Sequence, residues 1–218
     1  VNYLRWIADR FSPYLGDTIA EVGAGSGNFS GVLLEKGVRR IFAFEPSSNM
    51  YPLLRARFEG DGRVVAVNGF FGNQSDYPPG GFDSVCYTNV LEHVEDERGE
   101  LSRVWEALKP QGHLLIFVPA LPWLYGRFDK KLGHFRRYRK SGLIKLVQEA
   151  GFEVISARYF DLLGILPWFV AIVLLRQSLT TGAVSLYDRW VVHLCRKVEN
   201  LVPPPIGKNL LVVARKGG

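Results

Sequence analysis

The sequence contains few of the residues that build metal sites and disulfide frameworks. Its 218 residues include only two cysteines and four histidines. Cys86 and Cys195 each lie in an apolar stretch and neither belongs to a C-x-x-C pair. This pattern predicts two buried free thiols in a reducing, cytoplasmic compartment. No group of histidines and cysteines has the spacing of a zinc site, so the sequence predicts no metal.

The sequence also lacks a long apolar run. Residues 162–175 form an apolar stretch that contains one glycine and one proline. A membrane-spanning helix needs about 20 such residues, so this stretch is too short. It is typical of a buried or dimer-forming helix, of a lid over an apolar substrate, or of a segment at a membrane surface. Peripheral membrane contact therefore stays open, as does the choice between monomer and homodimer.

The excess of basic over acidic charge is concentrated in one segment of the chain. The formal net charge is +6, and residues 127–145 hold eight lysines and arginines against one aspartate. The rest of the chain is therefore close to neutral. A nucleic-acid-binding protein normally shows a broader basic surface, so we expect no nucleic-acid partner.

Short apolar strands alternate with helical patterns along the whole chain. This alternation predicts an α/β fold, a doubly wound parallel sheet with helices on both faces. We expect one domain over residues 1–218, with a polar loop at about 119–140 and an apolar helical insertion at about 161–202. Helices are predicted near 162–177 and 184–201, and a turn at Pro110–Gly112. The predicted strands are 18–22, 40–44, 64–67, 82–88, 114–118, 152–159 and 208–214.

A glycine-rich turn follows the first predicted strand. The segment Glu21-Val-Gly-Ala-Gly-Ser-Gly27 joins that strand to a helix. Glycines allow close approach of a ligand to the backbone, and the helix N-terminus favours negative charge. Glu45 ends the second strand, where an acid can accept hydrogen bonds from ribose hydroxyls. Together these features indicate a cofactor that contains a nucleoside.

The spacing of the glycines separates two cofactor classes. The dinucleotide pattern G-x-G-x-x-G needs a glycine where Asn28 stands, which disfavours an NAD-type oxidoreductase. The pattern from Glu21 to Gly27 instead resembles the E-x-G-x-G-x-G of class I methyltransferases. Residues 82–94, 108–115 and 207–215 resemble later motifs of that family, in the same order. The resemblance implies S-adenosyl-L-methionine as cofactor, S-adenosyl-L-homocysteine as product, and a seven-stranded, mostly parallel sheet with an antiparallel last strand.

The resemblance also implies roles for particular residues. Many family members have an aspartate near position 70 that binds the adenine, and none is present here. We expect backbone contacts and the ring of Phe70 or Phe71 to replace it. The residues expected at the cofactor are Glu21, Gly23, Ala24, Gly25, Gly27 and Asn28 at the methionine end, Glu45 at the ribose, Pro46, Gly69, Phe70 and Phe71 at the adenine, and Asn89 and Val90 beside the sulfonium.

Two regions are candidates for the acceptor side. His93 follows the fourth strand, in a Leu-Glu-His segment similar to that of quinone-pathway O-methyltransferases, and could act as general base or contact the substrate. His134, Arg136 and Arg137 could clamp a phosphate or carboxylate. We also place Tyr3 and Tyr138 on the substrate side. The alternatives are a structural histidine and a solvated basic loop.

The sequence therefore predicts an S-adenosylmethionine-dependent methyltransferase. We expect transfer to oxygen of a small-molecule, lipid-linked or glycan-type acceptor, with an anionic group as one option. Nucleic-acid methylation at base amino groups would bring an Asn/Asp-Pro-Pro-aromatic motif, and Asn89 is followed by Val90 and Leu91 instead. A second hypothesis is a non-catalytic or membrane-surface module that binds a nucleoside, and a third is the NAD-type oxidoreductase.

Overall fold

A computed structural model of the chain describes residues 2–170, 182 and 186–217, apart from the side chain of residue 190. The strands are β1 Thr18–Val22, β2 Arg40–Phe44, β3 Val64–Val67, β4 Phe82–Thr88, β5 Leu108–Pro119, β6 Phe152–Phe160 and β7 Asn209–Lys216. The helices are α1 Asn2–Phe11, α2 Asn28–Glu35, α3 Tyr51–Arg57, α4 Glu97–Ala107, α5 Arg127–Leu132, α6 Lys140–Glu149, α7 Ile165–Trp168 and α8 Val192–Leu201. The predicted helix at 162–177 and the start of that at 184–201 fall partly outside the described residues.

The strands form one seven-stranded sheet in the order β3-β2-β1-β4-β5-β7-β6. The first five strands pair in parallel, and β7 pairs antiparallel with both β5 and β6. The predicted fold class, including the antiparallel last strand, is therefore confirmed. The chain order reverses between β1 and β4, and doubly wound sheets bind ligands at the carboxyl ends of the strands beside such a reversal.

The fifth strand differs from its prediction. The turn predicted at Pro110–Gly112 lies inside β5, which begins at Leu108 directly after α4. Gln111 has a φ of 64°, and the register with β4 shifts between Phe82 and Ser84. The left-handed residue thus makes an irregularity within the strand, as a bulge does, instead of separating the helix from the strand.

Apolar side chains cover both faces of the sheet. On one face Trp6 of α1 lies on Phe160 of β6, with ring centroids 3.8 Å apart. On the other face Phe71 and Tyr77 stack at 5.1 Å and pack against Phe82 of β4. Burial on both faces explains why the parallel strands are almost continuous apolar runs.

The segment between β5 and α6 is organised around a buried carboxylate. Asp129 in α5 is fully buried and accepts hydrogen bonds from the backbone of Gly126 at 3.0 Å and from Nε of Arg137 at 2.8 Å. Nδ1 of His134 lies 3.0 Å from Oδ1 of Asp129, the same oxygen that accepts from Arg137. Burial alone would raise the pKa of Asp129, but these donors and the charge of Arg137 hold it below its usual value. The segment predicted as a polar loop is therefore held by internal ionic contacts.

A second buried carboxylate joins the N-terminal helix to the end of the sheet. Asp161, which follows β6, accepts hydrogen bonds from the hydroxyl of Tyr3 at 3.1 Å and from the backbone of Gly164. Nζ of Lys208 lies 2.9 Å from the same carboxylate. These contacts fix Tyr3 and Lys208 at the carboxyl end of β5.

No helix within the described ranges is both long enough and apolar enough to cross a lipid bilayer.

We predict that Asp129→Ala lowers the free energy of unfolding by about 3–5 kcal/mol, because it leaves a buried arginine without its partner. Arg137 is only 2% exposed at its side chain. The matched control is Asp17→Ala, which removes an exposed carboxylate 3.5 Å from exposed Arg39 and should change stability by less than about 1 kcal/mol. Denaturant unfolding of both variants measures this, and equal effects would contradict the anchoring role of Asp129.

Candidate active site

The glycine turn after β1 is pinned to the end of β2. The backbone amides of Gly23 and Ala24 both donate to the carbonyl of Phe44, at 2.9 and 3.0 Å. Gly23, Gly25 and Gly27 have φ values of 69°, 57° and 78°, the left-handed region that glycine adopts at little cost. The turn therefore needs glycine at all three positions for its backbone conformation.

The three glycines have different surroundings. A Cβ on Gly25 would meet no atom within 4 Å, so this residue faces open space. A Cβ on Gly23 would come within 2.5 Å of Val90, and one on Gly27 within 2.5 Å of Phe58. Gly25 thus leaves room for a ligand, whereas Gly23 and Gly27 allow close packing of the neighbouring segments.

Glu45 lies directly beside this open space. Its side chain is buried, and Oε2 accepts a hydrogen bond from the amide of Gly25 at 2.7 Å while Oε1 accepts one from Ser47 at 2.8 Å. The carboxylate at the end of β2 and the glycine turn are therefore in direct contact. This is the arrangement that the sequence predicted for a nucleoside-binding site.

Glu21 supplies a second buried carboxylate under the turn. It accepts a hydrogen bond from the hydroxyl of Ser30, and burial raises its pKa to about 8, with a smaller contribution from the charge of Glu45. A positively charged ligand group would stabilise the ionised form of this carboxylate. The methionine end of S-adenosylmethionine carries an ammonium group, so the residues present fit that cofactor.

The two candidate adenine-binding rings are in different environments. Phe70 is 81% exposed, close to the site because the amide of Gly69 donates to the carbonyl of Glu45 at 3.3 Å. Phe71 is buried and lies in the core, 5.1 Å from the ring of Phe44. Of the two rings, only Phe70 is free to pack on a ligand. Pro46 is also exposed beside Glu45.

Asn89 and Val90 separate the glycine turn from a cavity. Asn89 has a φ of 55° and its amide donates to the carbonyl of Phe117, which fixes the end of β4 against β5. Val90 touches Gly23, and Asn89 lines a cavity of about 410 Å³. The cavity is lined by Tyr3, Asn89, Glu92, His93, Phe117, Pro119, Phe128, Leu132, His134, Arg137, Trp168, Lys208 and Asn209.

One wall of the cavity holds a cluster of Glu92, His93 and His134. A short 3₁₀ turn after β4 presents Glu92 and His93, and the rings of His93 and His134 lie 4.6 Å apart at 87°. Glu92 is fully buried, and neither of its carboxylate oxygens has a hydrogen-bond partner among the residues that the structure describes. Burial raises the pKa of Glu92 to about 8. Burial and the neighbouring charge of His134 lower the pKa of His93.

The predicted substrate residues divide into two groups. Tyr3, His134 and Arg137 line the cavity. Arg136 and Tyr138 instead contact Glu97 of α4, at 2.5 Å each, away from the cavity. Arg136 already has a carboxylate partner, so its predicted role in an anion clamp gains no support from this geometry. Arg137 is likewise neutralised by Asp129.

Several residues of the site carry no functional signal in the sequence. Glu92 lies in the segment 82–94 that resembles a methyltransferase motif, but its contacts with residues 134 and 135 are not visible in the sequence. Lys208 lines the cavity with Nζ between 5.4 and 5.5 Å from the ring centroids of Tyr3, Trp168 and Tyr187. Its position after a proline-rich turn gave no signal, because its aromatic neighbours are far away in the chain.

Comparison with known proteins agrees with this geometry. A family model described as a methyltransferase domain matches residues 3–157. An uncharacterized methyltransferase of Geobacillus sp. (strain WCH70) is 33% identical over 104 residues, which cover 47% of each chain. An O-methyltransferase of Aspergillus nomiae is 26% identical over 160 residues, 70% of this chain and 71% of the relative. The match to the Geobacillus relative thus spans about half of that protein.

Solved structures extend the likeness to the whole described fold. An S-adenosylmethionine-dependent methyltransferase from Archaeoglobus fulgidus superimposes with a TM-score of 0.66 at 17% identity, covering 98% of this chain and 93% of the other. At this identity the match shows the fold alone. The family model, which covers most of the chain and includes the glycine turn, Glu45 and the cavity residues up to Arg137, shows that the protein belongs to the class I methyltransferases that use S-adenosylmethionine.

Proposed function

We propose that this protein transfers a methyl group from S-adenosylmethionine to a hydroxyl oxygen of a small or lipid-linked acceptor that binds in the cavity beside Asn89. The main support for this proposal is the position of Asn89 and Val90. Val90 packs against Gly23 of the glycine turn, and Asn89 lines the cavity. A donor at the turn and an acceptor in the cavity would be neighbours. When bound, the cofactor supplies a methyl group activated by a positively charged sulfur.

The size and the walls of the cavity favour a compact acceptor with an apolar body. Its volume of about 410 Å³ lies within the range of about 300–1,000 Å³ that is usual for small-molecule sites. Phe117, Phe128 and Trp168 supply aromatic surface, and Leu132 adds aliphatic surface. An aromatic or otherwise apolar alcohol fits these walls better than a glycan does.

The polar cluster supports a hydroxyl acceptor. A hydroxyl group must lose its proton to become a good nucleophile, and Glu92, His93 and His134 are the groups on the cavity wall that can bind and activate it. On the cavity wall, Arg137 is paired with Asp129 and Nζ of Lys208 lies 2.9 Å from Asp161, so these cations give little support to an acceptor that depends on a phosphate or carboxylate. The O-methyltransferase among the relatives also supports oxygen as the methylated atom.

The proposal is tested by supplying S-adenosylmethionine and a panel of phenols, quinols and hydroxylated lipids to the purified protein. We expect formation of S-adenosylhomocysteine that depends on the acceptor, with one methyl group added to oxygen in the product by mass spectrometry and NMR. Methylation of amines but not of alcohols in a parallel panel would contradict the oxygen assignment.

Two phenylalanines in residues 126–137 provide a matched pair for the acceptor site. Phe128 lines the cavity, whereas Phe135 is 51% exposed outside it. Phe128→Ala should raise the KM for an apolar acceptor by roughly tenfold, because burial of an aromatic ring contributes about 1.5–3 kcal/mol. Phe135→Ala should leave KM unchanged, and both variants should bind the cofactor normally. Equal KM values for the two variants would contradict binding of the acceptor in this cavity.

Glu21 yields a prediction in which stability and cofactor binding change in opposite directions. Its pKa rises on folding from 4.5 to about 8, so its contribution to stability is complete below pH 4.5 and is lost as the pH rises to about 8. At pH 8, Glu21→Gln should therefore be at least as stable as the wild type without cofactor. Its affinity for S-adenosylmethionine should fall by roughly tenfold, because a charge-assisted contact to the ammonium group is lost.

The control for this pair of measurements is Glu59→Gln, which changes an exposed glutamate. Thermal unfolding between pH 5 and 8 and calorimetric binding at pH 8 should show no change for this variant. Unaltered cofactor affinity in Glu21→Gln would contradict the placement of the methionine end over Glu21.

A further inference from the structure

The cluster on the cavity wall has the composition of a metal site. One oxygen of Glu92 and one ring nitrogen each from His93 and His134 all lie within 4.8 Å of one another. Two imidazoles and one carboxylate are ligands that first-row divalent metals prefer. Bond lengths of about 2.0–2.2 Å to a shared ion require the three atoms to approach one another by roughly 1–2 Å, which side-chain rotation can supply.

The buried carboxyl group of Glu92 is placed where a cation in this cluster would stabilise its ionised form. Both of its oxygens are fully enclosed and lack a hydrogen-bond partner within the part of the chain that the structure describes. Nε2 of His134 lies 4.0 Å from Oε1 of Glu92. An ionised carboxylate buried without a partner costs several kcal/mol, and a bound cation removes that cost.

Asp129 orients His134 as metal-binding histidines are commonly oriented. Nδ1 of His134 lies 3.0 Å from Oδ1 of Asp129, and because an ionised carboxylate only accepts hydrogen bonds, that nitrogen carries the proton. The lone pair of the neutral ring is then on Nε2, the atom that faces Glu92. Metal-ligating histidines typically donate their other N–H to a carboxylate in this way. Arg137 and Gly126 hold Asp129 in place.

We propose that Glu92, His93 and His134 bind one divalent transition-metal ion, of the zinc, manganese or iron(II) class, which binds the acceptor hydroxyl. This inference rests on the proposed function and specifies how the cluster acts. Three protein ligands leave coordination positions open toward the cavity, as in catalytic metal sites. His93 is then a ligand, in place of the general base that the sequence suggested.

The ion would activate the hydroxyl by lowering its pKa, as zinc does for bound water. The hydroxyl proton passes to a water molecule in the open cavity. The acceptor oxygen then uses its electron pair to form the bond to the methyl carbon, while the carbon–sulfur bond breaks and its electrons remain on sulfur. The products are the methyl ether and S-adenosylhomocysteine, so atoms and charges balance.

Metal binding can be tested without an activity assay. The protein is treated with EDTA, dialysed, and titrated with Zn²⁺ and with Co²⁺. We expect one ion per chain by calorimetry, a visible cobalt absorption band, and a higher melting temperature with zinc. Glu92→Gln and His93→Gln should each lose stoichiometric binding. His93 is exposed, so its variant should fold even where the buried substitution does not. The control is His193→Gln, which changes an exposed histidine on α8 and should bind the ion as the wild type does.

The outcomes separate this proposal from the proposed function. Absence of stoichiometric binding, or equal binding by wild type and His93→Gln, overturns the metal site even where S-adenosylmethionine binds and methyl transfer occurs. With the site confirmed, methyl transfer should be lost in EDTA and restored by one of the named ions. Metal binding without any cofactor binding would instead overturn the proposed function and leave the metal site intact.

Discussion

The site depends on the contact between the end of β1 and the end of β2. Two amides of the glycine turn donate hydrogen bonds to the carbonyl of Phe44. The carboxylate of the next residue, Glu45, accepts a hydrogen bond from the amide of Gly25. Parallel pairing of the two strands brings these ends to the same edge of the sheet. The strand order reverses on the other side of β1, between β1 and β4, and doubly wound folds bind ligands at the carboxyl ends of the strands beside such a reversal.

The acceptor side depends on a different kind of interaction. Residues 119–140 leave the sheet and return with the parallel bridge between Ala120 and Tyr138. Between these points the buried carboxylate of Asp129 contacts Arg137, His134 and the backbone amide of Gly126. This arrangement encloses Glu92 and aims His134 at it. The basic character of the segment therefore serves internal structure, and only part of it faces the cavity.

Much of the fold and of the cofactor side was predictable, because it depends on local sequence. The bounds of β1 to β4 follow from apolar runs that end in glycine, glutamate–proline or asparagine, and the turn from Glu21 to Gly27 needs glycines at fixed spacing. Phe71 could not be assigned, since a phenylalanine after β3 can face either the core or the ligand. Its burial is decided by Tyr77 and Phe82.

The acceptor side was harder to predict because its residues are distant in sequence. Arg136 and Arg137 look equivalent in the sequence, yet one contacts Glu97 and the other Asp129. The cluster of Glu92, His93 and His134 joins two segments about forty residues apart, so no spacing rule for metal ligands could reveal it. Whether such groups meet depends on the tertiary path of residues 126–137.

The most direct test of the cofactor site is calorimetric titration of the protein with S-adenosylmethionine, S-adenosylhomocysteine and NADH, repeated on Glu45→Gln. We expect both adenosyl compounds to bind to the wild type, NADH not to bind, and the variant to lose the binding while remaining folded. Binding of NADH in preference to the adenosyl compounds, or unchanged binding by Glu45→Gln, would contradict the assignment of the glycine turn and Glu45 as the cofactor site.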